Sequence, residues 1–310
     1  MEYPNAYPVT LTGCAHYIRE PGTDNSINYS FKLGATGKPW LEVLRYRPRD
    51  TFQTPEVVAA FSPSVQSYMH SFSVTENYAV FILYRVRVDP TVDTYFSENS
   101  MFHELFVSLQ KFTANNFHVF EAFEGGNKND TTEVYVVSLK NGEVNGPFTA
   151  PPAYSVHHIN AFEESDNKIV LDFCPSPLEN MRDYLLLENM LNPPEKLIEA
   201  TDVSTTNGKE ITRFTINVES QVVDESTFPN TINSKFINTF DFPTVNEEYR
   251  GRKYCIVYGM SAIAYSRVAL VKKNLCHSDE DKVNSTLSFR YRKSMEYTKR
   301  SEIINSKLHF

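Results

Sequence analysis

Short runs of β-branched and aromatic residues, each ended by a polar or a glycine, proline or asparagine cluster, recur from one end of this chain to the other. They cover residues 26–33, 40–47, 78–88, 132–139, 168–173, 210–218 and 253–258, a pattern of strands punctuated by turns. Lys140-Asn141-Gly142 is the clearest turn, because Asn-Gly supplies the positive φ angles of a tight hairpin. Two segments read as helical. Phe102, Leu105, Phe106 and Leu109 fall on one stripe at i, i+3, i+4 and i+7, and residues 178–191 end at Pro193-Pro194. Many short strands without a low-complexity linker predict one all-β domain, and 310 residues with 18 Tyr and 22 Phe are enough for an ample core. At about 50 residues per blade, a β-propeller of this length holds about six blades.

Three histidines open similar units in this pattern. His16, His70 and His157 each precede a polar turn that leads into an apolar run, and they lie 54 and 87 residues apart, a spacing that suits different blades. Imidazoles at equivalent points of successive hairpins can converge on one axis and form a metal site. Neutral imidazoles leave the charge of a divalent transition metal uncompensated and keep coordination positions open. His157 and His158 are neighbours, and adjacent strand residues face opposite ways. One of the pair therefore faces the axis while His158 packs beside it.

The formal charge of −8 disfavours nucleic acid and anionic membrane surfaces as charge-driven partners. Cys14, Cys174, Cys255 and Cys276 lack CxxC spacing and are too few to read as a disulfide framework, which fits a reducing, cytoplasmic setting. The opening MEYPNAYPVT has neither a basic start nor an apolar core, so no secretory leader is expected. The sequons at Asn28, Asn129 and Asn284 accordingly read as chance matches.

Three longer motifs carry a resemblance. HSFSVTENYAVFI (70–82), HHINAFEESDNKIVLDF (157–173) and FDFPTVNEEYRGRKYCIVYG (240–259) closely resemble the carotenoid cleavage oxygenase family, in particular its animal branch of β-carotene oxygenases and retinoid isomerohydrolase. The resemblance covers residues 8–275. It divides the chain into the central part of a propeller domain, 1–275, and a divergent tail, 276–310. The family extends further at both ends, so the chain reads as incomplete.

The resemblance implies a seven-bladed β-propeller with a non-haem Fe(2+) held on its axis by four histidines. His16, His70 and His157 match three of these ligands. Asp241, in Phe240-Asp241-Phe242-Pro243, stands where the family has a glutamate that holds a ligand's second ring nitrogen; it is one methylene shorter. No catalytic acid or base is required beyond the metal ligands. His309 is not taken as the fourth ligand, since it lies 50 residues past Gly259 and no glycine follows it. His103, His118 and His277 match no motif position.

The implied reaction is Fe(II)-dependent cleavage of a polyene double bond by dioxygen, turning a carotenoid or apocarotenoid into aldehydes. The stripe at Phe102, Leu105, Phe106 and Leu109 sits where the family has an apolar patch that dips into membranes, which implies peripheral membrane contact; packing onto the propeller is the other reading, since a stripe alone does not distinguish lipid from protein core. Two other readings stand beside this one: a retinyl-ester isomerohydrolase, in which a retinoid is the substrate and iron a Lewis acid, and a propeller fragment without catalysis.

Overall fold

The computed structural model describes residues 9–33, 39–48, 55–88, 123–125, 131–176, 209–229, 240–263, 267–276 and 287–290, apart from the single positions 15, 66, 85 and 166. Both segments expected to be helical lie outside the described residues, and with them the apolar stripe. So do His103, His118, His277 and His309. Among the described residues no helix is long and apolar enough to cross a membrane.

The strands form successive antiparallel sheets. In the first, β1 (Val9–Gly13) and β2 (Ile18–Arg19) both pair with β3 (Ser26–Leu33), which leads on to β4 (Pro39–Tyr46) and β5 (Glu56–Phe61). The second runs β6 (Ser73–Val74), β7 (Tyr78–Leu83), β10 (Thr132–Ser138), β11 (Val144–Ala150), with the pair β8 (Val86–Val88) and β9 (Phe123–Gly125) inserted between β7 and β10. The third is β12 (His158–Ser165), β13 (Lys168–Phe173), β14 (Lys209–Asn217), β15 (Val222–Pro229), and the fourth β16 (Asp241–Thr244), β17 (Ile256–Ile263), β18 (Arg267–Asn274), β19 (Leu287–Arg290). Four meanders, each stacked on the next, make the blade construction of a β-propeller. β19 lies inside the segment expected to be a divergent tail, and it pairs with β18.

The stacking explains why the central strands read as unbroken apolar runs. In β7, Ala79, Phe81 and Leu83 face the first sheet with Tyr135 and Val137 of β10, against Ile27, Tyr29, Phe31, Leu41 and Val43. Val80 and Ile82 point the other way with Val134 and Val136, against Ile169, Leu171 and Phe173 of the third sheet. A strand covered on both faces needs apolar side chains at odd and even positions alike. A third core joins the third and fourth sheets through Phe162, Val170, Ile211, Tyr254, Val257 and Val271.

Asp172 interrupts the apolar run of β13 and is fully buried. Its carboxylate accepts from Arg213 Nε and Nη2 at 2.7 and 2.8 Å and from the Tyr254 hydroxyl at 2.7 Å, so all its charge is matched within the interface. The cysteines depart from expectation. Cys255 and Cys276 form a disulfide, because the chain between these residues, 21 positions apart, folds back as the β17–β18 hairpin and brings their Cα atoms to 5.1 Å. Cys14 and Cys174 are buried and are not joined in a disulfide.

Candidate metal centre

Each candidate residue sits at the entrance to a strand at one edge of its sheet. The ladder of β3 pairs Gly13 with Ser30 and Ile18 with Ile27. The segment between Gly13 and Ile18 is longer than the stretch of β3 it faces, and His16 projects from that excess. His70 precedes β6, His157 precedes β12, and Asp241 starts β16. Four blades thus contribute one residue each.

The three imidazoles meet. His16 and His70 ring centroids are 4.9 Å apart, His70 and His157 5.2 Å, His16 and His157 6.0 Å, and one nitrogen from each lies within 4.8 Å of the others. The Nε2 atoms of His16 and His70 are 3.0 Å apart. Two nitrogens bound at right angles to one ion with bonds of about 2.1 Å are separated by about this distance. His157 Nδ1 lies 2.7 Å from Asp241 Oδ1. An ionised carboxylate only accepts, so Nδ1 carries the proton and the lone pair falls on Nε2. The pKa of His70 is lowered to about 4, first by burial and then by the neighbouring imidazoles, which leaves it neutral and able to ligate at pH 7.

Short side chains join the loops that carry these rings. The Cys14 thiol lies 3.1 Å from the His16 carbonyl and 3.0 Å from the His70 carbonyl. Ser71 Oγ donates to the Val156 carbonyl at 2.5 Å and accepts from the His158 amide at 2.9 Å, joining the His70 and His157 loops. Neither residue stands out in the sequence, because both act through backbone groups that only folding brings within reach.

His158 turns away from the cluster. Its Nδ1 is 3.0 Å from Ser73 Oγ and its Nε2 3.3 Å from the Tyr84 hydroxyl, and burial lowers its pKa to about 3. It is a neutral packing residue. A cavity of about 580 Å³ opens beside the imidazoles, lined by His16, Tyr17, His157 and Phe242, by residues of β6 and β12, and on its charged side by Arg19, Glu247 and Arg250. Tyr17 and Phe242 are largely exposed. The donor set of three imidazole nitrogens, one of them backed by a carboxylate, fits a borderline divalent transition metal better than Mg or Ca, which take oxygen ligands.

The sequence matches the family model described as retinal pigment epithelial membrane protein (RPE65) over residues 3–296. Over 270 residues it is 23% identical to a carotenoid 9,10(9',10')-cleavage dioxygenase 1 of Phaseolus vulgaris and 24% identical to one of Pisum sativum; these alignments take in 86% of this chain and 41% of each relative. The fold resembles that of a cobalt-substituted Synechocystis ACO, with a TM-score of 0.58 at 17% identity, covering 90% of this chain and 50% of that one. An ACO/RPE65 chimera gives 0.55 at 16%. These neighbours share the β-propeller fold, and the chain spans about half their length and about two-fifths that of the plant relatives.

Proposed function

Because the chain belongs to the RPE65 family of carotenoid cleavage oxygenases, we propose that its histidine cluster holds Fe(II) and serves oxidative cleavage of a polyene double bond in a carotenoid or apocarotenoid, giving aldehydes. The observation that carries this reading is the convergence of His16, His70 and His157 from three blades, with Asp241 of a fourth on His157. The relatives named as carotenoid cleavage dioxygenases support the substrate class.

Bound iron would supply the site at which dioxygen is activated. The chain's own residues do the rest. Asp241 fixes the His157 tautomer so that Nε2 faces the centre, and burial keeps His70 neutral. Tyr17 and Phe242 present aromatic surface beside the imidazoles, suited to the flat, apolar face of a polyene. Selectivity then comes from the shape of the cavity, which places one double bond at the centre.

The test is iron content and product formation. Purified protein loaded anaerobically with Fe(II) is expected to hold about one iron per chain and, given an apocarotenoid and air, to form a shorter aldehyde seen by chromatography. His157→Ala is expected to lose both. Full iron occupancy in that variant would remove the cluster from the chemistry.

A further inference from the structure

Asp241 reaches His157 from an irregular strand. β16 pairs with β17 through Asp241↔Met260 and Thr244↔Tyr258, with a register shift between the two pairs. Three steps along β16 therefore face two along β17, so β16 carries a bulge of one extra residue at Phe242-Pro243. Phe242 sits in the left-handed region at φ 51°, where bulges of this kind ordinarily place glycine because a Cβ is unfavourable there. Pro243 disfavours the right-handed helical alternative for the residue before it.

Burial does not account for a bulky residue in this conformation, since Phe242 is 58% exposed. The hydrogen bonding does. The Phe242 N–H donates to Asp241 Oδ1 at 2.8 Å, and the same oxygen faces His157 Nδ1 at 2.7 Å. The Phe242 ring lies 5.0 Å from the His157 ring. The backbone turn at residue 242 thus points the carboxylate, and the ring covers the imidazole it points at.

We propose that Phe242 is a positioning residue for the metal centre: held left-handed by the β16 bulge, its backbone aims the short Asp241 carboxylate at His157 and fixes the tautomer that leaves Nε2 free for the metal. The inference rests on the reading of the cluster as a metal site, but its main readout needs no metal. The experiment compares Phe242→Val, whose β-branched side chain resists the left-handed region, with Phe242→Gly and Phe242→Asn, which tolerate it. Long-range proton–nitrogen NMR of the metal-free chain reports the His157 tautomer, and titration with Co(II) reports affinity.

Native protein, Phe242→Gly and Phe242→Asn are expected to show the Nδ1–H tautomer and to bind Co(II) within about threefold of one another. Phe242→Val is expected to show mixed tautomers and at least a tenfold weaker affinity, the scale of losing a ligand's hydrogen-bond partner. If Phe242→Val keeps the native tautomer, the proposal is overturned. It is equally overturned if Phe242→Gly and Phe242→Asn lose the tautomer, which would assign the effect to the ring. Native protein that takes up no Co(II) while the tautomer pattern holds overturns the metal reading and leaves the positioning intact.

Discussion

An imidazole gives its lone pair from whichever nitrogen is not holding a proton, so a metal site is decided as much by what stands behind each ring as by the rings themselves. Asp241 stands in this place behind His157, and the motifs of the sequence singled out both residues as well as His16 and His70, which the fold brings together. Cys14 was not legible. Its place between the His16 and His70 carbonyls depends on the excess residues between β1 and β2, which no local pattern announces. Burial raises its pKa to about 11, so at neutral pH it remains an S–H donor and supplies no thiolate to the metal. Below its folded pKa the group is protonated, and at pH 8 only about one thiol in a thousand is ionised, against about a quarter for an exposed cysteine of pKa about 8.5. Iodoacetamide at pH 8 should therefore modify Cys14 in the folded chain at least about a hundred times more slowly than in urea, as followed by peptide mass mapping. Fast labelling of the native protein would show that the thiol is neither buried nor bonded as described.

The strands that were easy to read are mostly those covered on both faces, and the ones that were not lie mostly at the outside of their sheets, β18 being an inner strand that was also missed. β15 reads Val-Val-Asp-Glu-Ser-Thr-Phe-Pro, with Val223 buried and Val222, Asp224 and Ser226 exposed; its alternating polar residues hide it among turns. β11 is an outer strand of the same half-polar kind, while β5, Glu-Val-Val-Ala-Ala-Phe, is an outer strand that is apolar but only partly covered. The Cys255–Cys276 disulfide was hidden for a related reason, because their separation means nothing until β17 and β18 are seen as one hairpin. β13 gives the clearest test of an element in its setting. Asp172 pairs across to Arg213 of β14 and receives the Tyr254 hydroxyl from the fourth sheet, while Arg213 also lies over the Phe228 ring at 4.9 Å. Arg213→Ala leaves a buried carboxylate with one remaining side-chain donor and should cost about 3 kcal/mol in urea unfolding. Replacing both partners together, Asp172→Leu with Arg213→Met, should cost clearly less, since the uncompensated charge is then gone. A single variant that costs no more than the double one would show that the pair is not closed off from water.

At the scale of the whole molecule the sheets meet in series, first on second, second on third and third on fourth, through three separate cores. No apolar core joins the first sheet to the fourth among the described residues; these two approach each other near the axis, where the Cβ of a residue replacing Gly251 would come within 2.4 Å of Pro21. The candidate metal centre is the place where all four contribute at once, three through an imidazole and the fourth through Asp241. An ion there would tie together blades whose apolar cores join only neighbours, and its binding energy counts toward folding to the extent that the unfolded chain lacks the site. At a free metal concentration of 100 times Kd the gain is about 2.7 kcal/mol, which for a chain of this size raises the melting temperature on the order of 5 °C. Thermal unfolding of the native chain with Co(II) and with chelator should differ by that amount, and His70→Ala should melt alike in both. A Co(II) shift that persists in His70→Ala would place the stabilising ion elsewhere. Bound Co(II) without any shift in the native chain would mean that the unfolded chain holds the metal as well as the folded one does, and that the centre does not brace the blades it joins.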